Sequence, residues 1–194
     1  MNHLTAITGG IGSGKSVVSN VLRTLGYEVY DCDLRARAIM EGDEALKKRL
    51  ADAFGNDIIN ENGSLNRQAL GAIVFNDPEK LEALNAMVHG AVKDDIVTWR
   101  TGHSKRTRLF IETAILYQSG LDKMVDDIWE VTAPEEIRIA RVIARNNLTA
   151  AQVRARIAAQ RFPVPAQHPP VATILNDGHT PLLPQVLALL EKQN

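Results

Sequence analysis

Gly-Gly-Ile-Gly-Ser-Gly-Lys-Ser, at residues 9–16, matches the pattern G-x-x-x-x-G-K-[ST] at every position. The apolar residues 4–8 before it predict a buried strand, and residues 15–25 after it place apolar side chains at helical spacing. A strand, a glycine-rich turn and a helix in this order are the context of a phosphate-binding loop, or P-loop. A dinucleotide fingerprint fits less well, because no glycine follows Gly12 at the required spacing and Lys15 and Ser16 would have no role.

The residue types of the P-loop predict that it binds the phosphates of a nucleotide. Its glycines allow tight turns that aim backbone N–H groups inward, and the helix N-terminus adds further donors. Lys15 reaches the β- and γ-phosphates, and the Ser16 hydroxyl is a hard oxygen ligand for Mg²⁺. The residues predicted to contact the nucleotide here are Gly10, Ile11, Gly12, Ser13, Gly14, Lys15, Ser16 and Val17.

The composition of the whole chain excludes several classes of protein. It has 194 residues, is 45% hydrophobic and carries a net charge of -1, which argues against a chain-wide electrostatic grip on nucleic acid. There is neither an apolar run of the ~18 residues that a membrane span needs nor a visible secretory signal. The single cysteine, Cys32, excludes an internal disulfide and a multi-cysteine zinc site. We expect a cytoplasmic monomer or weak homo-oligomer, with neither nucleic acid nor a membrane as partner.

Short apolar runs alternate with helical periods along the chain, which predicts an α/β fold. The expected architecture is a single three-layer P-loop domain, residues 1–194, around a mostly parallel five-stranded sheet. The predicted strands are residues 4–8, 27–32, 108–112, 128–132 and 171–175. Residues 41–102 contain helical patterns without a convincing strand, which indicates an inserted helical lobe for a substrate. A closing helix is predicted at residues 181–191.

Capping residues mark where several of these helices begin. A polar side chain that can accept from the first turn precedes each helix of the inserted lobe, and Pro78 occupies the favoured first helical position. The predicted caps are Asp43, Asn66 and Asp77. Thr149 and Gln152 form a capping-box pattern for a later helix, whereas the prolines of residues 162–170 exclude a regular helix there.

Carboxylates follow the predicted strands at the expected nucleotide site. We expect strands one and two to be parallel neighbours whose carboxyl ends open on one crevice, and the period of a strand puts Asp31 and Asp33 on one side. One would then be a base for an attacking hydroxyl and the other a water-mediated metal contact; the alternative is a polar turn that ends a strand. Glu112 ends another strand and is expected to help organise Mg²⁺ or substrate. Cys32 points the other way, as a small buried residue.

Arginines recur on one predicted helix. Arg138, Arg141 and Arg145 share a helical face because they are spaced i, i+3 and i+7. In a P-loop protein this face predicts a lid, residues 134–170, that closes over the triphosphate, with Arg145 as its principal donor. The alternatives are a solvated basic face or an RNA-binding surface.

Several stretches of this sequence resemble a known family. Residues 8–16 followed by Asp31-Cys32-Asp33 resemble the start of dephospho-CoA kinases, and the similarity continues along nearly the whole chain. Further matching stretches are residues 63–67, 74–75, 77–78, 84–89, 112–117, 141–145, 160 and 176–178. The chain departs from the family pattern at Gly90, where the family usually has proline, and at Ala166 and Val171, where it typically has lysine and aspartate.

The resemblance implies an activity and roles for individual residues. The reaction would transfer the γ-phosphoryl group of ATP, with Mg²⁺, to the 3′-hydroxyl of dephospho-CoA, giving CoA and ADP in the last step of CoA biosynthesis. Asp33 would be the general base, Lys15 and Arg145 further catalytic residues, and residues 41–102 the lobe that holds the CoA moiety. The other implied contacts are Arg141 and Asn176 to the nucleotide, and Arg67, His89 and Glu112 to the substrate.

Two other functions share the P-loop. One is a different small-molecule kinase, for a nucleoside or a shikimate-like alcohol, since the loop does not read the acceptor. The other is an ATP-binding regulator without kinase activity. An RNA-binding protein that uses the arginine face fits the balanced total charge least well.

Overall fold

The chain folds into two units, and the second is a continuous segment inserted between two segments of the first. The computed structural model describes residues 2–146, 148–160 and 163–192. The first unit consists of Met1–Asp31 and Ser104–Asn194, and the second consists of Cys32–His103. The second unit is therefore an insertion between two parts of the first, and it begins earlier than the predicted residue 41.

The first unit is built on a five-stranded sheet in which every described pair of strands is parallel. The strands are β1 (His3–Thr8), β2 (Glu28–Asp31), β3 (Arg108–Glu112), β4 (Asp127–Thr132) and β5 (Val171–Leu175). Their order is β2-β3-β1-β4-β5. The five predicted strands are confirmed. The expectation that the first two strands are neighbours is wrong, because β3 pairs with both of them and lies between β1 and β2.

Helices account for most of the remaining described residues. They are α1 (Lys15–Thr24), α2 (Cys32–Gly42), α3 (Glu44–Phe54), α4 (Arg67–Val74), α5 (Pro78–Gly102), α6 (Glu135–Asn146), α7 (Ala150–Ala159) and α8 (Leu182–Glu191). The second unit contains α2 to α5. No helix in the described part of the chain is both long enough and apolar enough to cross a bilayer.

The main core of the first unit lies between the sheet and two helices. Ile7, Phe110 and Trp129 on the strands are fully buried against apolar residues of α1 and α8. The fixed position of α1 matters for function, because the P-loop connects it to β1. A separate small core joins α6 to α7, formed by Ile139, Val142, Val153 and Ile157.

A buried polar network lies at the amino end of the strands, away from the P-loop. Arg108 donates to the Thr5 hydroxyl at 3.2 and 3.3 Å and pairs with Asp127 at 3.4 Å. Asp127 also accepts from Thr5 and contacts His3 Nε2 at 3.0 Å. Arg108 and Asp127 are both buried. Burial lowers the pKa of Arg108, and the Asp127 carboxylate opposes that change.

The predicted helix caps are present in the structure. Asp43 accepts from Leu46 N, Asn66 accepts from Ala69 N, and Asp77 accepts from Lys80 N. Thr149 and Gln152 form the reciprocal capping box. Each of these bonds joins residues three positions apart, which is why the local sequence was enough to predict them.

Helix α2 was not predicted, and its position corrects the interpretation of Asp31 and Asp33. Strand β2 ends at Asp31, and α2 begins at the next residue. The two carboxylates therefore do not share one face of a strand, because Asp33 lies in the first turn of a helix. Residues 34–40 are leucine, arginine, alanine, isoleucine and methionine, and four of these five types have high helix propensity. Cys32 is buried as expected.

Candidate active site

The P-loop connects the carboxyl end of β1 to the first turn of α1. Gly9, Gly12 and Gly14 have φ values of 145°, 78° and 96°, which side chains rarely tolerate. Gly14 is the N-cap of α1 and cannot cap it with a side chain, and the first turn of α1 contains no acidic residue. The backbone donors at this helix terminus thus meet no acidic side chain from their own turn, as an anion-binding terminus requires.

The missing side chains of the P-loop glycines leave space that neighbouring residues of the protein occupy. A Cβ at Gly10 would overlap the guanidinium of Arg138, and a Cβ at Gly12 would overlap the backbone of the same residue. A Cβ at Gly14 would overlap the side-chain amide of Asn176. Close packing of α6 and of the segment after β5 is therefore a second reason, besides turning, why this loop needs glycine.

The side chains of the P-loop lie close to its backbone. Lys15 Nζ donates to Gly9 O at 2.9 Å, so the ammonium group lies across the loop. Ser13 Oγ is buried without a hydrogen-bond partner among the described residues. Ser16 is exposed in the first turn of α1, where its hydroxyl is open to a ligand.

Two of the predicted nucleotide contacts, Arg141 and Asn176, are brought together beside the P-loop. Arg141 of α6 donates to Asn176 O at 3.0 Å and to Asn176 Oδ1 at 3.1 Å. Asn176, which directly follows β5, donates to Ser13 O at 2.8 Å. These bonds join the carboxyl end of β5, α6 and the P-loop, and they place the Arg141 guanidinium beside the backbone of the P-loop.

A pair of carboxylates lies at the same edge of the sheet. Asp31 and Glu112 are register partners at the carboxyl ends of β2 and β3. Burial raises the pKa of Glu112 above its ordinary value of 4.5. The negative charge of Asp31 adds to the rise, whereas the Ser19 hydroxyl, Lys15 and Arg23 oppose it. The charge of the P-loop lysine therefore favours the ionised Glu112 carboxyl, but burial outweighs it.

Comparison with known proteins gives the family. The model of the family described as dephospho-CoA kinase matches residues 3–179, which include the P-loop, Asp33, Arg141 and Asn176. The chain belongs to the dephospho-CoA kinase family. Two relatives named dephospho-CoA kinase illustrate the match. The protein from Porphyromonas gingivalis is 40% identical over 95% of this chain and 91% of its own length. The protein from Geobacillus kaustophilus is 36% identical over 99% of this chain and 97% of its own length.

Solved structures support the same assignment of the fold. TT1252 from Thermus thermophilus superposes with a TM-score of 0.79 at 33% identity, over 99% of this chain and 97% of that one. Dephospho-CoA kinase from Campylobacter jejuni has a TM-score of 0.67 at 18% identity, over 100% and 98% of the two chains, and so shares the fold. The α/β architecture with a parallel five-stranded sheet is that of this kinase family.

The contacts described so far do not include the other predicted site residues Arg145, Asp33, Arg67 and His89. Arg145, near the end of α6, is exposed and donates to Asn146 Oδ1 at 2.9 Å, whereas Arg141 of the same helix reaches the P-loop. Asp33, Arg67 and His89 all belong to the second unit. Asp33 is exposed in the first turn of α2.

Arg67 and His89 have different surroundings within the second unit. Arg67 donates to Arg37 O at 3.3 Å and contacts Glu41 at 3.4 Å, on exposed side chains. Burial lowers the pKa of the half-buried His89, and the positive charge of Lys93 lowers it further. The lowered pKa favours the neutral imidazole of His89, which is suited to hydrogen bonding rather than to charge pairing.

Residues that contact the P-loop were also missed. Arg138, which the sequence places on the arginine face of the expected lid, donates from its Nε to Ile11 O at 2.9 Å. Gln160 accepts from Ile11 N at 2.7 Å, although sequence reasoning gave it no role beyond the family resemblance. No local pattern could have found this contact, because the two residues are 149 positions apart.

The raised pKa of Glu112 predicts that its ionised carboxylate lowers the stability of the fold. A carboxyl whose pKa is higher in the folded state favours folding when protonated, so it opposes folding above that pKa. We expect Glu112→Gln to increase the free energy of unfolding at neutral pH and to lower kinase activity. The gain should vanish as the pH falls below 4.5, where both states carry a protonated Glu112.

Denaturant unfolding across pH measures this effect. Glu130→Gln, on an exposed side chain of β4, is the matched control and should leave stability nearly unchanged. A variant Glu112→Gln that is less stable than the wild type at neutral pH would contradict the prediction.

Proposed function

We propose that this chain is a dephospho-CoA kinase, which transfers the γ-phosphoryl group of ATP to the 3′-hydroxyl of the ribose of dephospho-CoA. The observation that carries the proposal is the complete P-loop within a chain that matches this family over residues 3–179. The products would be CoA and ADP.

At the nucleotide end, phosphoryl transfer depends on positioning and on charge stabilisation. The N–H groups of the P-loop and of the first turn of α1 would hold the phosphates of ATP. Lys15 would move from Gly9 O, 2.9 Å away, to the β- and γ-phosphates. Arg141 lies close enough to the loop to add a second positive charge, since its guanidinium also approaches Gly12 O at 3.5 Å.

The residues present fit a Mg²⁺ ion bound mainly through ATP. Mg²⁺ in kinase sites takes few protein ligands, because it keeps several waters and binds substrate phosphates. No group of three histidine, cysteine or acidic residues suitable for a metal occurs in the part of the chain that the structure describes. Ser16 would supply a direct oxygen ligand, and Asp31 or Glu112 would bind through water. When bound, Mg²⁺ neutralises charge on the β- and γ-oxygens.

The second unit would hold the acceptor. Asp33 follows two residues after Asp31 along the chain and is proposed to take the proton of the 3′-hydroxyl as it attacks the γ-phosphorus. Arg67 would bind an acidic group of dephospho-CoA, and the neutral His89 would bind by a hydrogen bond. These assignments rest on the family resemblance together with the exposure or polarity of each side chain.

The lid is proposed to comprise residues 134–170, including α6 and α7. Arg145 is exposed near the end of α6 and would donate to the transferred group when the lid closes. Closure would exclude water, which otherwise competes with the ribose hydroxyl as acceptor. ADP release without an acceptor should accordingly be slow.

A coupled assay of ADP release tests the function. The purified chain is given Mg²⁺, ATP and one acceptor at a time: dephospho-CoA, a nucleoside, or shikimate. We expect turnover with dephospho-CoA alone, and a product heavier by one phosphate whose position on the 3′-oxygen is read by ³¹P NMR. Turnover with a nucleoside but not with dephospho-CoA would assign a different kinase activity. ATP binding without turnover of any acceptor would indicate a regulator.

A further inference from the structure

Ile11 of the P-loop contacts the predicted lid through its N–H, its carbonyl oxygen and its side chain. Its N–H donates to Gln160 Oε1 at 2.7 Å, just after the end of α7. Its carbonyl oxygen accepts from Arg138 Nε at 2.9 Å, on α6. Its side chain packs on the small core between the two helices, formed by Ile139, Val142, Val153 and Ile157.

The flanking glycines are part of the same arrangement. Arg138 occupies the space that side chains at Gly10 and Gly12 would need. The backbone at residues 10–12 therefore lies directly against α6, and the peptide groups on both sides of Ile11 have fixed partners. A peptide plane with a bonded N–H or C=O resists rotation, and its neighbours in a tight loop share that restraint.

The restraint affects the function of the loop through the direction of its amides. Phosphate binding requires several successive N–H groups to point inward together, and the donors must be in place before the ligand arrives if no reorganisation is to be needed. The hydrogen bonds of Ile11 with Gln160 and Arg138 do not involve Lys15 or Ser16, so these two residues stay available to the phosphates. The two hydrogen bonds join the loop to α6 and to the residue that follows α7.

We propose that Gln160 is a positioning residue for ATP, which acts by holding the N–H of Ile11 and so keeps the P-loop in its phosphate-binding shape. This inference rests on the proposed kinase function for its kinetic readout, but not for its binding readout. It assigns Gln160 no contact with substrate. It also implies that α6 and the end of α7 contribute to nucleotide affinity through the loop backbone.

The test compares two substitutions at Gln160 with one at another glutamine of the same helix pair. Gln160→Met keeps the length but has no oxygen acceptor, whereas Gln160→Glu keeps an acceptor and places its charge near Arg138. Gln152→Met is the matched control, since Gln152 accepts from Thr149 N at 2.9 Å in an exposed capping box. It removes a structural hydrogen bond of α7 without touching the P-loop.

Calorimetric titration with ADP gives Kd, and steady-state kinetics give KM for ATP and kcat. For Gln160→Met we expect Kd for ADP and KM for ATP to rise roughly 5–20-fold, the effect of losing one partly buried hydrogen bond. The value of KM for dephospho-CoA should stay unchanged. Gln160→Glu should recover most of the affinity. The control Gln152→Met should lower the Tm while leaving both nucleotide constants unchanged.

Two results would overturn the proposal. One is a Gln160→Met variant with wild-type Kd for ADP, whatever its Tm, because the bond would then be structural only. The other is equal loss of ADP affinity in Gln160→Glu and Gln160→Met. Failure of the kinase function is a separate outcome: the wild type would bind ADP but would not turn over dephospho-CoA, and the comparison of Kd values would still decide the role of Gln160.

Discussion

Asp33→Asn should lower kcat with dephospho-CoA by about 10²–10⁴-fold while leaving the affinity for ADP unchanged. The amide has nearly the shape of the carboxylate but cannot accept the proton of the attacking hydroxyl. Because Asp33 lies in the first turn of α2 and not in the P-loop, the substitution should leave the backbone donors of the P-loop unchanged. Single-turnover kinetics and ADP titration separate the two effects.

A matched variant makes the loss of activity specific to Asp33. Asp52→Asn introduces the same change on an exposed helical side chain of α3, in the same unit, and should retain wild-type kcat. A wild-type rate in Asp33→Asn would remove Asp33 from the mechanism. A loss of ADP affinity equal to the loss of rate would indicate a damaged fold rather than a missing base.

Asp127→Leu should lower the free energy of unfolding by about 3–5 kcal/mol. The substitution leaves the guanidinium of Arg108 buried without the carboxylate that lies 3.4 Å away in the wild type. The rings of Phe110 and Trp129, each centred 5.4 Å from the guanidinium carbon, cannot replace that charge. Denaturant unfolding followed by circular dichroism measures the loss.

A double substitution distinguishes charge from packing. Arg108→Met together with Asp127→Leu removes both charges, and we expect this variant to recover most of the stability that Asp127→Leu loses. Asp95→Leu is the exposed comparison, since Asp95 pairs with Arg35 at 2.7 Å on partly exposed side chains, and it should cost about 0–1 kcal/mol. A double variant less stable than Asp127→Leu would show that packing, not charge, dominates at this site.

The same pair is expected to be silent in catalysis. Arg108 begins β3 and Glu112 ends it, so the buried network and the carboxylates of the candidate site lie at opposite ends of the strands. Below its unfolding temperature, Asp127→Leu should therefore show nearly wild-type kcat and KM. This contrasts with Asp33→Asn, in which activity should fall without a loss of stability.

Short-range interactions made the P-loop, the helix caps and the five strands predictable from the sequence. The hydrogen bonds of Asp43, Asn66 and Asp77 each close within three residues, so residue type and spacing specify them. The P-loop is recognisable for a related reason, since its donors come from consecutive backbone groups whose geometry glycine permits. The helix propensity of residues 34–40 is also a local signal, but α2 was not predicted because residues 31–33 were assigned to the end of a strand.

The tertiary structure alone decided which distant residues complete the P-loop. In the strand order, β3 lies between β1 and β2, which sets Glu112 beside Asp31, whereas the expectation from the fold type makes β1 and β2 neighbours. The amino-acid sequence by itself determined the P-loop motif, its flanking strand and helix, and the family. The partners of Ile11, 127 and 149 residues away, were decided by the packing of α6 and α7, because contacts across such separations depend on the whole fold and leave no periodic signal in the sequence.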